Sequence, residues 1–288
     1  MPPSELMGLF LCNFALQAAN GEKIYVIIDD YDRFAGFLAK GPDACARESP
    51  SARWRLDYIK AFYAVLKQFF GQDDDSKPIE RIFLTGVAAV SLDSLTSGFN
   101  IATDISDLPL FSSMAGFTRG ELSQVVDEAA AFGALKGISK AGAMEAMERR
   151  CGGYAFSEYG SERLFNPASC RSFLGKLLAS GSIQEASKTA GCCDAERLRQ
   201  VLDRCLPRAR KRILDSVAGR DALPVRAPGA LMPGCAGQLG LNEAVWTLAY
   251  SGFLTVDPQT SREFAATCLR CPNESVRSMF LECASNQG

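Results

Sequence analysis

Apolar positions recur along this chain in two rhythms, one helical and one continuous. Over residues 5–18, Leu6, Leu9, Phe10 and Phe14 fall along one side of a helix, Ser4 stands where a cap belongs, and Asn20-Gly21 closes it. Residues 24–28 (IYVII) are apolar without alternation, the pattern of a strand buried on both faces of a parallel sheet. After a loop rich in Gly, Pro and Ala (35–51), Ile59, Phe62, Leu66 and Phe69 mark an amphipathic helix over about 52–70, with Lys60 and Lys67 facing away. A polar turn, GQDDDSKP, leads to a second apolar strand at 81–87. Strand–helix–strand with both strands apolar predicts a right-handed parallel crossover, hence an α/β architecture.

From about residue 112 the pattern is helical. Thr118 and Glu121 have capping-box spacing, as do Ser182 and Glu185, and Asn166-Pro167 places a capping side chain before a proline at the first helical position. A Pro/Gly/Ala stretch at 223–240 reads as a linker or mobile loop. Beyond it Asn242 is expected to cap a helix running to Ser251 and ended by Gly252. Two short strands, 253–256 and about 263–269, flank a DPQTS turn, and Asn273 caps a last helix carrying Val276, Met279, Phe280 and Cys283. Helix–hairpin–helix of this kind resembles a winged-helix unit. The expected organisation is an α/β core at 1–111, a helical region at 112–222, the linker at 223–240 and a winged-helix-like unit at 241–288.

Composition narrows the chemistry more than the fold. The chain of 288 residues is 47% hydrophobic and 22% charged with a formal net charge of −2, a globular composition without a global sign of nucleic-acid or membrane binding. It contains no histidine, which removes Ser-His-Asp and Cys-His nucleophiles, imidazole acid–base catalysis and His-containing zinc sites. The eleven cysteines are odd in number and irregularly spaced, with one CxxC (Cys268, Cys271) and an adjacent pair (Cys192, Cys193); small buried hydrophobes in a reducing compartment is the better reading. The N-terminal apolar stretch lacks a basic n-region and a cleavage site, and is too short to span a bilayer, so an intracellular, cytoplasmic protein without a membrane partner is expected. Residues 197–212 carry seven basic residues against one acidic (Asp203), a solvated helix face or a contact for phosphate; Arg208, Arg210 and Lys211 are the candidates if nucleic acid binds.

The candidate chemistry lies in residues 23–34, KIYVIIDDYDRF, where a strand ends in Asp29 and Asp30 with Asp32 beyond. Carboxylates at the carboxyl end of a parallel strand sit where α/β sheets bind ligands. In P-loop NTPases the first such acid holds the magnesium shell and a second orients or deprotonates the attacking water, which gives Asp29 the metal role and Asp30 the catalytic one.

The motifs around this strand follow a recognisable order. IDDYDR (28–33) is similar to a family strand LIDEYDKP; FYAVLK (62–67), IFLTGV (82–87), SGFN (97–100), Asp104-Ile105, GFT (116–118) and Glu121-Leu122 come next. CGGYAF (151–156) and FNP (165–167) stand for YNGYRF…YNP, and YSGFLT (250–255) and PNESVR (272–277) for YQSGYLT…PNEEVR. The chain thereby resembles the AAA-ATPase-like family of P-loop proteins, many of which carry a PD-(D/E)XK nuclease domain, over roughly residues 8–283. The resemblance implies a partial P-loop NTPase-type parallel sheet in residues 1–111, ATP and Mg²⁺ as cofactors, and Thr85 at the strand end where related ATPases sense the terminal phosphate, though an ordinary strand-end Thr reads the same. Gly86 would permit a sharp exit from that strand.

Five departures set the expectation for activity. The chain has no GxxxxGK[ST]; the nearest imitation, Gly181–Thr189, lacks the second glycine and carries a helix-capping pattern instead. Only some twenty residues precede the acidic strand. The second acid is Asp30 rather than Glu, which moves a water-activating oxygen by roughly 1 Å, Ala155 replaces the Arg of YNGYRF, and the nuclease domain is missing. A truncated or degenerate member with weak or no ATP hydrolysis alone is therefore expected, and the strand at 82–85 should present an unpaired edge, filled by another chain or covered by the N-terminal helix. Two alternatives stand beside it: a non-enzymatic module binding a protein or nucleic acid, as a homo-oligomer or with another partner, and a fragment of an intact ATPase whose phosphate loop lies upstream of Met1.

Overall fold

The computed structural model describes residues 3–17, 22–32, 50–71, 77–87, 101–160, 162–188, 195–226 and 238–285. The chain divides into two compact units, residues 1–103 with 229–237, and residues 104–228 with 238–288. Among the described residues there are eleven α-helices, one parallel pair of strands and one antiparallel three-stranded sheet, an α/β composition as expected.

The first unit holds α1 (Pro3–Gln17), β1 (Ile24–Ile28), α2 (Pro50–Phe69) and β2 (Ile79–Leu84). β1 and β2 run parallel, with Tyr25 opposite Arg81 and Ile28 opposite Leu84, which is the predicted crossover arrangement. α2 turns Tyr63 and Leu66 inward, and these join Leu11 and Ile79 as the fully buried set, with Val26, Ile28, Ile82 and Leu84 packed against them. The side chain of Ile59 lies outside the described part, as do Asn20-Gly21, most of the 35–51 loop and SGFN.

Two details of this unit differ from the sequence pattern. The apolar run of β1 alternates in burial: Tyr25 is 64% exposed and Ile27 74%, whereas their neighbours pack on the core. Helices cover one face of a two-stranded sheet among the described residues, so a continuous apolar run does not mean two buried faces here. In α1 the inward residue is Leu11, with Met7 against the core, whereas Leu6, Leu9 and Phe10 face solvent. That helix is apolar nearly all round, so its periodicity does not select a face, and Ser4 lies within its first turn rather than ahead of it. Apart from a single bridge between Phe70 and Ile79, β2 pairs with no strand other than β1 among the described residues.

The second unit is built from α3 (Arg119–Ala131), α4 (Lys140–Cys151), α5 (Pro167–Ser180), α6 (Ile183–Ser187), α7 (Ala195–Asp203), α8 (Pro207–Gly219), β3 (Leu223–Pro224), α9 (Leu241–Tyr250), β4 (Thr255–Val256), α10 (Pro258–Phe264), β5 (Cys268–Arg270) and α11 (Glu274–Ser285). Its caps follow the sequence. Thr118 and Glu121 form a reciprocal capping box on α3, and Asn166, Ser182 and Asn273 accept from the backbone N–H groups of Ser169, Glu185 and Val276 at the starts of α5, α6 and α11. One core gathers Leu122, Met147, Phe173 and Leu177 from α3–α5; a second gathers Leu202, Ile213, Leu248, Phe253, Leu269 and Phe280 around the small sheet β3-β5-β4.

The expected pair of C-terminal strands is present as β4 and β5, antiparallel, with Thr255 opposite Arg270. The second, however, is shorter and later than 263–269: β5 covers Cys268–Arg270, and Glu263 and Phe264 end α10. Their connection is a helix rather than a turn: α10 starts at Pro258, whose fixed φ suits a first helical position, immediately after Asp257. Asn242 does not cap α9; Gly240 holds that position, and the Asn242 side chain accepts from the N–H of Arg226.

Candidate functional site

Because β1 and β2 are parallel, both chains leave the sheet at the same edge, and the segments that follow are bonded to each other. The N–H of Thr85 donates to the carbonyl of Ile28 at 2.8 Å and that of Tyr31 to the carbonyl of Thr85 at 2.9 Å. Side chains extend this lattice. The Thr85 hydroxyl donates to Asp29 Oδ1, the Asp30 N–H donates to the same oxygen at 3.0 Å, and the Val87 N–H donates to Asp32 Oδ1 at 3.2 Å. The Thr85 hydroxyl and the Asp30 N–H together hold the Asp29 carboxyl below its ordinary range, outweighing a small opposing effect of burial.

Three residues shape the turn. Asp30 takes the left-handed conformation at φ 54°, which Asp adopts more readily than most residues. Gly86 has no such φ, so its role differs from the expected sharp exit: a Cβ there would stand 2.5 Å from Asp32 Oδ1 and 2.7 Å from the Tyr31 ring. The glycine lets the acidic turn lie directly on the β2 exit. Buried Tyr63 on α2 has its phenol pushed up to about 12, by burial first and then by Tyr31 and Asp32.

The structure thus brings Asp29 and Thr85 together from strands 56 residues apart and leaves Asp30 beside them, exposed, bonded to Asp29 through its backbone. Among the described residues no three His, Cys, Asp or Glu side chains gather as a metal cage. Mg²⁺ does not require one: it is commonly held by one or two carboxylates, with waters and phosphate oxygens completing the shell. An ionised, exposed Asp29 fits the protein's share of such a shell.

Arg210 pairs with Asp203 at 3.2 Å and Lys211 with Asp215 at 3.5 Å, while Arg208 is exposed. Of the seven described cysteines five are buried and behave as small hydrophobes, whereas Cys12 is exposed. Cys268 is buried in β5 and Cys271 half-buried beyond it, and burial pushes the Cys205 thiol up to about 11 and raises those of Cys268 and Cys283, which keeps them protonated. In the second unit a cleft of about 210 Å³ is lined by Arg149, Arg220, Arg270 and Arg277 among others. Arg277 donates to the carbonyls of Val217 and Ala218, Arg270 to Asp257, and Arg149 and Arg220 lie against Glu274, so these guanidiniums hold elements together.

The downstream motifs prove to be joints between helices and the small sheet. Tyr154 Oη donates to the carbonyl of Gly252; the Ala155 N–H donates to Thr255 Oγ1 at 2.8 Å, and that hydroxyl donates back to the Ala155 carbonyl at 2.9 Å. Asn273 Nδ2 donates to the carbonyl of Gly152 at 2.9 Å, and a Cβ on Gly153 would collide with the Pro272 carbonyl. Sequence reading missed the most buried charge of the unit. Asp257, its side chain 6% exposed, accepts from Arg163, Arg270 and Thr260. Desolvation raises its pKa, but the Thr260 hydroxyl and the two guanidiniums outweigh it and the net shift is downward. The signal was the Asp-Pro pair, which marks a helix start as readily as a turn.

Residues 8–96 match the model of the AAA-ATPase-like family, described as a predicted AAA-ATPase. This stretch is therefore AAA-ATPase-like, and it contains Asp29, Asp30, Thr85 and Gly86. No curated protein and no solved structure matches the chain.

Proposed function

We propose that the first unit carries the acidic half of an AAA-ATPase-like nucleotide site, and that the 288-residue chain by itself hydrolyses ATP weakly or not at all. Asp29 is the magnesium-side ligand, Asp30 the group that orients or deprotonates water, and Thr85 the sensor-type polar residue at the neighbouring strand end. The observation that carries this reading is the hydrogen bond from Thr85 to Asp29 across two parallel strands within an AAA-ATPase-like stretch. Parallel neighbours that present an acid and a hydroxyl at their carboxyl ends are arranged as a P-loop-type sheet requires on its Walker B side. The depressed Asp29 stays ionised at neutral pH, as a cation ligand must.

The other half of such a site, backbone N–H groups and a lysine closing around phosphate, has no counterpart among these 288 residues, which contain no GxxxxGK[ST]. Mg²⁺ and ATP are accordingly the cofactors of the complete site. A degenerate ATPase core and a C-terminal interaction unit of winged-helix-like design, formed by α9–α11 with β3–β5, complete the proposal.

The test is ATP turnover by the purified chain with and without Mg²⁺. Phosphate release at background in both conditions is expected. Magnesium-dependent turnover abolished by Asp29→Ala overturns the reading of weak or absent hydrolysis, and a phosphate loop read in frame upstream of Met1 replaces it with that of an intact ATPase.

A further inference from the structure

The second unit exposes large apolar side chains on two segments that lie against each other. Leu110 is 84% exposed and Tyr159 73%, and Leu108, Met114, Phe117 and Phe156 are also exposed. Residues 108–117 and 156–165 are tied by reciprocal bonds between Phe117 and Phe165, and Gly160 sits against the Ser112 side chain. Side chains of this size expose together on the order of 500 Å², comparable with the largest apolar patch of a typical monomer, which is often functional.

The rim of this patch has one sign of charge. Asp104 and Asp107 directly precede the first segment and Glu158 and Glu162 lie on the second, and neither 88–118 nor 155–162 contains a Lys or Arg. The flanking cations are engaged elsewhere, Arg119 with Glu148 and Arg163 with Asp257. An acidic rim repels nucleic acid and anionic lipid and favours a basic protein surface.

The same unit carries such a surface. On α8, Arg208, Lys211 and Arg212 are exposed at the i, i+3 and i+4 spacing that places them on one face, with exposed Leu206 at its start. Arginines are also the cations best suited to lie on aromatic rings such as Phe156 and Tyr159.

We propose that the chain self-associates head to tail, the acidic apolar patch of one copy receiving the basic face of α8 from a second copy. The two surfaces differ, so the contact is heterologous and builds rings or open chains rather than a closed isologous dimer. It is sensitive to salt, because exposed charges set its orientation.

The test is sedimentation of the full chain over a range of concentration at low and high salt, with two charge-reversed variants. In one, Asp107→Lys is combined with Glu158→Lys; in the other, Arg208→Glu with Arg212→Glu. All four positions are exposed or half-exposed, and unchanged circular dichroism melts check folding. Wild-type association at low salt, weakened about tenfold or more in each variant and recovered when the two variants are mixed, supports the proposal; tenfold corresponds to about 1.4 kcal/mol. A wild-type chain that stays monomeric at low salt overturns it, as do variants that associate like wild type, or a mixture that does not recover. Association lost in Leu110→Ser with Met114→Ser but unaffected by either charge reversal also overturns it, since the patch then takes an apolar partner face and not α8.

Discussion

The two compact units of this chain distribute stability and chemistry in opposite ways. The first contains the acidic strand end and the family match, yet four side chains make up its fully buried set among the described residues, and its two strands expose Tyr25, Ile27 and Phe83. The second has two cores with many fully buried residues, a reciprocal capping box and a buried carboxylate held by two guanidiniums. A two-stranded sheet is marginal by itself, whereas helices that bury Phe173, Phe253 and Phe280 supply several kcal/mol each. The lesson concerns where short sequence motifs act: YSGFLT and PNESVR in the second unit are joints of a stable scaffold, and IDDYDR in the first builds an exposed polar turn.

This contrast can be broken most forcefully in the second core. Phe280→Ala should lower its stability by about 3–5 kcal/mol, because a fully buried ring leaves a cavity. A large fall in the urea midpoint is expected, and a small one would mean that this core is not the stable part. Next comes Asp257→Asn. It leaves Arg163 and Arg270 without their carboxylate, and since both are about two-fifths exposed the cost is discounted to about 2 kcal/mol. The pKa of Asp257 is depressed in the fold, so its contribution is fully present above the unfolded value near 4 and is lost as pH falls through the folded one. Urea midpoints of wild type and variant should therefore differ at neutral pH and converge in acid.

Thr255→Val tests a single joint. It removes both bonds to the buried Ala155 backbone at nearly constant shape, for about 1–2 kcal/mol, read in the same denaturation. The smallest effect sharpens the comparison from the other side. Thr85→Val and Asp29→Asn alter an exposed turn and should leave the main unfolding transition unmoved. Native-state hydrogen exchange should show amides of 24–28 exchanging faster than those of 144–151 in wild type and both variants, and equal protection would show the two units to be one cooperative body.

Much of the local structure was legible because it depends on near neighbours. Thr118 and Ser182 were recognisable as caps from a glutamate three positions on, Asn166 from the proline that follows it and Asn273 from the apolar pattern of the last helix. The parallel pairing of β1 with β2 follows from two apolar strands joined by a helix. Other features were ambiguous for stated reasons. α1 is apolar on every side, so its pattern could not choose Leu11 over Leu9. Residues 258–264 carry turn-forming types that serve equally in a proline-started helix. At the site the acids and Thr85 were visible, but the reason for Gly86 was not, because it depends on the Tyr31 ring and Asp32 lying across the strand exit. The Asp-Pro pair marked Asp257 as a turn or a helix start but not as a buried anion, since its partners Arg163 and Arg270 lie 94 and 13 residues away.

By itself, then, the sequence determined most of the element types, the caps at Thr118, Asn166, Ser182 and Asn273, the absence of imidazole chemistry and of a phosphate-loop motif within these 288 residues, and the acids that end β1. These are properties of composition and of short-range spacing. Tertiary structure alone decided which face of α1 and β1 is buried, that Thr85 bonds Asp29, and that Asp257 is a buried anion. Each depends on contacts between residues far apart in the chain, and pairing at a distance leaves no local trace in the order of amino acids.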